Sequence, residues 1–159
     1  RVNQRILIID VLNDVLDQLK LDIDQIDAEI NIDIAKDLDV VFVKAYLTSI
    51  FYNLLSNGIK YRSYDKKLIL SISAKHQDGF TVINVSDNGI GIDLKRYGHF
   101  LFKPFKRLTL EREGTGIGLS IINNVVQKNG GRIEVESKLR EGTAFTVYLK
   151  SVEENEGIK

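Results

Sequence analysis

Three short segments of this chain carry side chains that can hold a metal ion, an amine and phosphate groups. They span residues 53–61, 87–91 and 114–119, in that order along the chain. Amide oxygens suit Mg²⁺, and a carboxylate accepts a hydrogen bond from an exocyclic amine. Glycines let a backbone approach phosphate at the start of a helix. Together the three segments provide what a nucleotide with its magnesium ion requires.

The first segment carries four polar side chains on one face of a helix predicted over residues 44–61: Asn53, Asn57, Lys60 and Tyr61. An amide oxygen there completes the shell of a magnesium ion that keeps phosphates and waters. A lysine meets phosphate as a point charge, and a tyrosine ring covers a base. A solvated polar face is the alternative, and an isolated pair of asparagines at this spacing favours it.

The second segment begins with Asp87, directly after a strand predicted over residues 80–85. Two other interpretations compete with amine binding. An Asn-Gly hairpin turn is one, although the following residues do not resemble a strand. A calcium loop is the other, but it needs a glutamate eleven residues after Asp87, where Gly98 stands. Taken alone, this segment fits a turn as well as a site.

The third segment spaces its glycines two apart, at Gly114, Gly116 and Gly118. It lacks the lysine of a P-loop and does not follow a strand, as a dinucleotide fingerprint does. No protein-kinase motif accompanies it. The remaining physical prediction is a flexible glycine run that leads into a helix N-terminus, where free N–H groups attract phosphate.

Composition limits the class of protein. The 159 residues are 43% hydrophobic and 28% charged with zero formal net charge, which predicts one globular domain and argues against a nucleic-acid partner. There is no cysteine, so disulfides and thiolate zinc sites are excluded. No apolar run spans a bilayer and no signal peptide opens the chain, which predicts a cytoplasmic domain without membrane contact. The start at Arg1 and the lack of methionine predict a piece of a larger protein.

Hydrophobic periodicity predicts an α+β fold, a two-layer sandwich with helices on one face of a mostly antiparallel sheet. Strands are predicted over residues 5–9, 28–34, 68–74, 80–85, 132–137 and 143–149. A first helix is predicted from an Asp10 N-cap through Ile23. A third helix is predicted over residues 118–127, with Ile121, Ile122 and Val125 facing inward.

The order of the three segments closely resembles the N, G1 and G2 boxes of the catalytic ATP-binding domain of sensor histidine kinases, in the GHKL superfamily. Residues 102–107 match that family's F box, and residues 141–143 match the turn before its final strand. The resemblance extends over residues 5–150. It implies a Bergerat-type catalytic domain over residues 1–150, an ATP lid over about 93–115 and an acidic tail over 151–159.

The resemblance also implies site roles. Asn57 would coordinate Mg²⁺ with support from Asn53, and catalysis would rest on Asn53, Lys60 and Arg107. ATP would be bound by residues from all three segments and the last turn: Asn57, Tyr61, Asp87, Gly89, Gly91, Ile92, Gly114, Thr115, Gly116, Ile117, Gly118, Leu119 and Thr143. Among them, Asp87 would accept the adenine amino group, and Thr143 would join it through water.

The implied activity is transfer of the γ-phosphoryl group of Mg²⁺-ATP to a histidine, in two-component signal transduction. That histidine would lie on a dimerisation and phosphoacceptor domain of the same parent protein, with a response regulator downstream. His76 and His99 are expected to be ordinary surface residues. Hydrolases of the superfamily keep a glutamate where this chain has Asn53, which favours transfer over hydrolysis. A GHKL-type ATPase and a non-catalytic nucleotide-binding module remain the alternatives.

One position departs from the resemblance. Gly58 stands where the family usually has alanine, and a glycine inside a helix costs about 1 kcal/mol. Because Gly58 falls on the apolar stripe of its helix, we expect close packing against a neighbouring element to explain it.

Overall fold

The computed structural model describes residues 2–104 and 118–150. Within those ranges the elements follow one another as β1 (Gln4–Leu7), α1 (Ile8–Gln18), α2 (Lys20–Gln25), β2 (Glu29–Asp33), β3 (Asp39–Phe42), α3 (Lys44–Lys60), β4 (Ile69–Gln77), β5 (Phe80–Asp87), α4 (Leu94–Tyr97), a 3₁₀ turn (Gly98–Phe100), α5 (Gly118–Lys128), β6 (Arg132–Lys138) and β7 (Gly142–Lys150). The predicted acidic tail lies outside the described residues.

The main sheet has the strand order β2-β4-β5-β7-β6. β2 runs parallel to β4, and the other neighbours are antiparallel. The two remaining described strands, β1 and β3, form a separate antiparallel pair. This mixed, mostly antiparallel sheet with helices beside it confirms the predicted α+β sandwich.

The helices α1, α3 and α5 pack on one face of the main sheet. Alternate residues of the central strands point into this core, such as Leu70 and Ile72 of β4 and Val147 and Leu149 of β7, all almost completely buried. Burying each such side chain contributes about 1.5–3 kcal/mol. The opposite face carries polar side chains and a hydrogen bond from Asn84 to Thr146 at 2.9 Å. The pattern of period two therefore fixes which face the helices cover.

The N-terminal helix begins earlier than predicted. The interpretation of Asp10 as an N-cap is wrong, because α1 starts at Ile8 after an N-cap at Leu7, and Asp10 lies in the first turn. The Ile8 N–H donates to Leu38 O at 3.1 Å. A tertiary partner thus satisfies a backbone group that a capping side chain usually serves.

Three further differences concern extent and orientation. The single helix predicted through Ile23 is divided at Leu19 into α1 and α2. β3 was not predicted, because its short apolar run lacks alternation and all but its first residue are buried. Ile121 does not face inward; it is 44% exposed, whereas Ile122 is buried as predicted and Leu119 and Val126 fill the core beside it.

The β4–β5 hairpin has a tight two-residue turn. Asp78 and Gly79 have φ angles of 52° and 81°, the left-handed pair that a two-residue hairpin turn requires. Gly79 has no atom within 4 Å of the position of an added Cβ, so the turn projects from the sheet. Among the residues described, no helix has the length and hydropathy needed to cross a bilayer.

Candidate functional site

Helix α3 approaches the sheet closely at Gly58. A Cβ atom added there would lie 2.6 Å from Leu70 Cδ2 and 3.7 Å from Asp87 Cβ. Close packing therefore accounts for the glycine, as expected from its place on the apolar stripe. The approach brings the end of α3, with Asn57 and Tyr61, beside the end of β5, with Asp87.

These elements enclose one small cavity. Its walls come from α3, the segment after β5, and β7: Asn57, Tyr61, Asp87, Gly91, Ile92, Thr143 and Phe145. Six of the seven are residues predicted to bind the nucleotide. Phe145 was not predicted, although its place two residues after Thr143 on the same face of β7 gave a signal. The cavity combines a flat apolar lining with one carboxylate.

Asp87 provides the carboxyl group of this cavity. Burial raises the pKa of its carboxyl from 3.8 to about 6. Hydrogen bonds from the backbone N–H groups of Gly89 and Thr143, and the charge of Lys66, act in the opposite direction. The Gly89 N–H lies 2.8 Å from Asp87 Oδ1. At neutral pH Asp87 is therefore ionised, poorly solvated and able to accept further hydrogen bonds.

The segment after Asp87 holds neighbouring loops together. Asn88 accepts from the Ile69 N–H at 2.8 Å and donates to Lys67 O at 2.9 Å. The Ile90 N–H donates to Tyr61 O at 3.0 Å. These bonds connect the segment to the residues that follow α3, so the hairpin alternative is wrong. No group of three acidic or histidine side chains in the described part of the chain could hold a metal ion, which leaves the calcium loop without support.

Two glycines of the site have backbone conformations that would be strained for any other residue. Gly91 has a φ of 76° and packs against the backbone of Lys138, and Gly142 has a φ of 131° and packs against the backbone of Asp87. A side chain at either position would collide with backbone atoms. These contacts fix the distance between the Asp87 segment and the β6–β7 hairpin.

Ser137 connects three parts of the cavity wall and was not predicted. Its Oγ accepts from the Ile92 N–H at 2.8 Å and lies 2.9 Å from Gly142 O and 2.8 Å from Thr143 Oγ1. The sequence held a signal, because Ser137 continues the inward row of Ile133 and Val135 on β6 with a polar side chain. A polar residue in an apolar row requires hydrogen-bonding partners.

The middle of α3, where Asn53 lies one turn before Asn57, faces the start of α5. Asn53 Nδ2 donates to Ser49 O at 2.8 Å and to Ser49 Oγ at 3.1 Å. Asn53 Oδ1 lies against Gly118, where an added Cβ would collide with it. Lys60 Nζ lies 5.0 Å from the centre of the Tyr61 ring. Leu119 is buried in the core, so only its backbone is available to a nucleotide.

Several predicted site residues lie outside the described ranges: Arg107, Gly114, Thr115, Gly116 and Ile117. Gly89 is described and packs tightly, since an added Cβ would lie 2.5 Å from Tyr61 O and 2.9 Å from Asp87 Oδ1. The structure thus brings together the described residues predicted for the base, and it places Asn57 and Asn53, the two predicted for the metal, one turn apart on α3. Their roles stay predictions.

The oxygen of Asn53 has an orientation that suits a metal. Because the amide nitrogen is held by Ser49, the oxygen points away from the helix backbone. With no acidic cluster in the described part of the chain, an ion here would depend on amide oxygens, phosphates and water. That ligand set fits Mg²⁺, which keeps several waters and phosphate oxygens.

Comparison with known proteins decides the family. A family model described as histidine kinase-, DNA gyrase B-, and HSP90-like ATPase matches residues 43–153. The chain belongs to this family. This domain of the histidine-kinase-like ATPases is 26% identical over 144 residues to the sensor protein RprX of Bacteroides fragilis, covering 88% of the chain and 28% of RprX. It is 31% identical over 119 residues to the histidine-protein kinase ArlS of Staphylococcus aureus, covering 72% of the chain and 26% of ArlS.

Solved structures agree on the fold of this histidine-kinase-like ATPase. The nucleotide-free catalytic domain of histidine kinase ThkA aligns with a TM-score of 0.83 at 19% identity, covering 95% of this chain and 97% of that one. The mycobacterial sensor histidine kinase MprB aligns with a TM-score of 0.79 at 22% identity, covering 93% and 98%. The chain spans only about a quarter of the length of RprX and ArlS. The predicted family and fold are confirmed, and ArlS, ThkA and MprB are each named as histidine kinases.

Proposed function

We propose that this domain binds Mg²⁺-ATP and transfers the γ-phosphoryl group to a histidine on a separate dimerisation and phosphoacceptor domain of the same parent protein. From there the phosphoryl group passes to a response regulator. The observation that carries the proposal is the partly buried Asp87 carboxylate, which shares one cavity with Tyr61 and Asn57. This cavity offers a flat apolar lining and an acceptor, as an adenine ring with its amino group requires.

The base is recognised by this chain's own groups. The Asp87 carboxylate accepts from the exocyclic amine, and the Tyr61 ring packs on the base. Gly89 and Gly91 keep the backbone close to the ring, and Thr143 joins the amine network through water. Since burial disfavours the ionised Asp87 carboxylate, its hydrogen bond to the amine replaces a bond to water that burial has already removed.

The phosphates lie toward Asn57, Asn53 and the start of α5 in this proposal. Asn57 and Asn53 would hold Mg²⁺ through their amide oxygens, and the ion would neutralise phosphate charge. Lys60 and Arg107 add positive charge, and Gly118 presents the N-terminal N–H groups of α5. Phosphoryl transfer depends chiefly on such positioning and charge neutralisation, because a neutral imidazole already offers a lone pair.

The acceptor is proposed to lie in another domain, because the two histidines of this chain are badly placed. His76 lies six residues beyond Leu70 along β4, about 20 Å from the Asp87 end of the sheet at roughly 3.3 Å per residue. It contacts Thr81 at 3.1 Å instead. His99 packs edge-on against Phe100 in the 3₁₀ turn.

Asn53 argues against hydrolysis as the main activity. Water must lose a proton to become an effective nucleophile, and an amide whose nitrogen donates to Ser49 cannot take that proton. A histidine acceptor needs no such base. The ATPase alternative within the family therefore lacks its proton acceptor at this position.

One experiment separates the activities. The protein is mixed with γ-labelled ATP, Mg²⁺ and a purified helical-hairpin domain that bears a phosphoacceptor histidine, with the same hairpin carrying alanine at that histidine as control. Label that is stable to base and labile to acid, and absent from the control, supports the proposal. Free phosphate with unlabelled hairpin would identify an ATPase, and ATP binding with neither labelled hairpin nor free phosphate would identify a non-catalytic nucleotide-binding module.

A further inference from the structure

The Ser137 hydroxyl makes three contacts of hydrogen-bond length at the wall of the cavity. They join it to the Ile92 N–H at 2.8 Å, to Gly142 O at 2.9 Å and to Thr143 Oγ1 at 2.8 Å. Each contact between two electronegative atoms at this distance needs one proton between them. Three protons are available, one each from Ile92 N, Ser137 Oγ and Thr143 Oγ1.

Only one arrangement gives every contact its own proton. The Ile92 N–H can serve only the first contact. Gly142 O is a carbonyl oxygen and can only accept, so the Ser137 proton lies in the second contact. The third contact must then hold the proton of the Thr143 hydroxyl. Thr143 therefore donates to Ser137, and its proton points away from the cavity.

The consequence concerns the polarity of the cavity wall. With its proton committed to Ser137, Thr143 presents only lone pairs to a ligand, and it is 7% exposed. Its backbone N–H is directed at the Asp87 carboxylate, which is also an acceptor. This end of the cavity thus offers acceptors from two side chains that lie opposite each other on β5 and β7.

We propose that Ser137 is a positioning residue that holds the Thr143 hydroxyl as an acceptor toward the cavity. The cavity wall then favours a base with an exocyclic amino group over a base with a carbonyl at the same position. The inference rests on the proposed function and deepens it, because it assigns part of the choice between nucleotides to a residue that touches no nucleotide. A carbonyl oxygen of a base would face two further acceptors, the Asp87 carboxylate and the Thr143 hydroxyl oxygen. No proton would then be available for a hydrogen bond among these three groups.

The test compares ATP with inosine triphosphate, which has a carbonyl in place of the amino group and the same triphosphate. Calorimetric titration in Mg²⁺ gives the ratio of the two dissociation constants for the wild type, Ser137→Ala and Ser137→Thr. We expect Ser137→Ala to lower the preference for ATP about tenfold, because the freed Thr143 hydroxyl can turn and donate to a carbonyl. Ser137→Thr keeps the hydroxyl and should keep the preference.

A variant that lacks the Thr143 hydroxyl distinguishes the positioning role of Ser137 from a merely structural role. Thr143→Val removes the hydroxyl with little change of shape, so adding Ser137→Ala to it should leave the ratio unchanged. Loss of folded protein weakens both nucleotides equally and cancels in the ratio. Ser73→Ala, on the polar face of β4, serves as the control and should match the wild type.

The outcomes are distinct. An unchanged ratio in Ser137→Ala, or an equal fall in the Thr143→Val background, overturns the role of Ser137 while leaving ATP binding intact. A wild type that binds neither nucleotide overturns the proposed function and this inference with it. A fall in the preference for ATP that occurs only when Thr143 is present supports both the role of Ser137 and the proposed function.

Discussion

Asp87 is placed where its ionised form is useful for binding and unfavourable for folding. Burial raises the pKa of its carboxyl to about 6, although two backbone N–H groups donate to it. The native state therefore binds this proton more tightly than the unfolded state does. The ionised carboxylate destabilises the fold at pH values above about 6, and this destabilisation disappears as the pH falls from about 6 towards 3.8.

Replacing Asp87 by asparagine should separate binding from stability. We expect Asp87→Asn to weaken ATP binding by at least about tenfold, because an amide nitrogen faces the adenine amine. At pH 8 the free energy of unfolding should be equal to that of the wild type or higher, by at most about 3 kcal/mol. The gain should shrink as the pH falls below about 6. Urea unfolding at several pH values measures the stability, and titration calorimetry measures ATP binding. The exposed Asp33→Asn serves as the control. Unchanged ATP affinity in Asp87→Asn would exclude Asp87 as the acceptor of the amine.

The pH dependence of nucleotide binding follows from the same group. ATP needs the ionised carboxylate, so its affinity should be constant above about pH 7 and fall as the pH drops through about 6. Inosine triphosphate has the same titrating phosphates, and its affinity should fall less. The ratio of the two affinities therefore reports Asp87 alone. A ratio of ATP affinity to inosine triphosphate affinity that stays constant from about pH 5 to about pH 8 would contradict the raised pKa of Asp87.

Asn57 should affect chemistry more than base recognition. We expect Asn57→Ala to bind ATP without Mg²⁺ about as well as the wild type, because the Asp87 end of the cavity remains. Magnesium-dependent transfer to a hairpin-domain histidine should fall by at least about 100-fold, since charge neutralisation is lost. Filter binding and labelled transfer assays measure the two effects. Full transfer by this variant would exclude the proposed metal role.

At the scale of elements, the contact between α3 and the sheet determines the site. Gly58 lets α3 approach β4 and β5, and an added Cβ would lie 2.6 Å from Leu70 Cδ2. Leu70 is completely buried, so its side chain can shift only against other core atoms. The glycine lowers helix stability, and the close packing of two elements at the cavity offsets that loss.

Gly58→Ala should therefore destabilise this domain, although alanine favours helices. A gain of about 1 kcal/mol in helix propensity is opposed by about 1–3 kcal/mol of overpacking. We expect a net loss of about 1 kcal/mol in the free energy of unfolding. Leu70→Val removes the δ carbons, so the double variant should be more stable than the sum of the two single changes predicts. Strict additivity in chemical denaturation would show that the two positions do not collide.

The sequence predicted most elements because their patterns are local. The inward residues of α3 and the alternation in β4, β5 and β7 follow from periods of 3.6 and two. The start of α1 could not be predicted, because its first N–H is satisfied by Leu38, thirty residues away in the chain. Ser137 was missed for the same reason, since its partners Ile92 and Thr143 come from other segments. Local patterns predict elements, and contacts between distant segments complete the site.

At the scale of the whole molecule, the cavity is assembled from three distant parts of the chain. Hydrogen bonds join Ile90 to Tyr61, Arg140 to Ile90, and Ile92 to Ser137. Each bond crosses from one segment to another, so the cavity wall forms only when α3, β5 and the β6–β7 hairpin are packed. Formation of the site is therefore coupled to folding of the domain.

Hydrogen exchange should reveal this coupling. We expect the amide protons of Ile90, Ile92 and Arg140 to exchange with the free energy of global unfolding. The amide of Leu101, which donates to Gly98 O at 3.5 Å within one turn, should exchange through local opening with a smaller free energy. Native-state exchange in increasing urea measures both. Rapid exchange of Ile90 and Ile92 at zero denaturant would show that the wall opens independently.

The Asp78–Gly79 turn gives the experimenter a place to attach a reporter. It lies at the opposite end of β5 from Asp87, about 23 Å away at roughly 3.3 Å per residue, and Gly79 has open space around it. Exposed turns of this kind accept insertions with little loss of stability. A dye, an affinity tag or a surface tether placed there leaves the nucleotide end of the sheet facing away from the attachment. The same turn therefore makes the domain suitable for immobilised binding measurements.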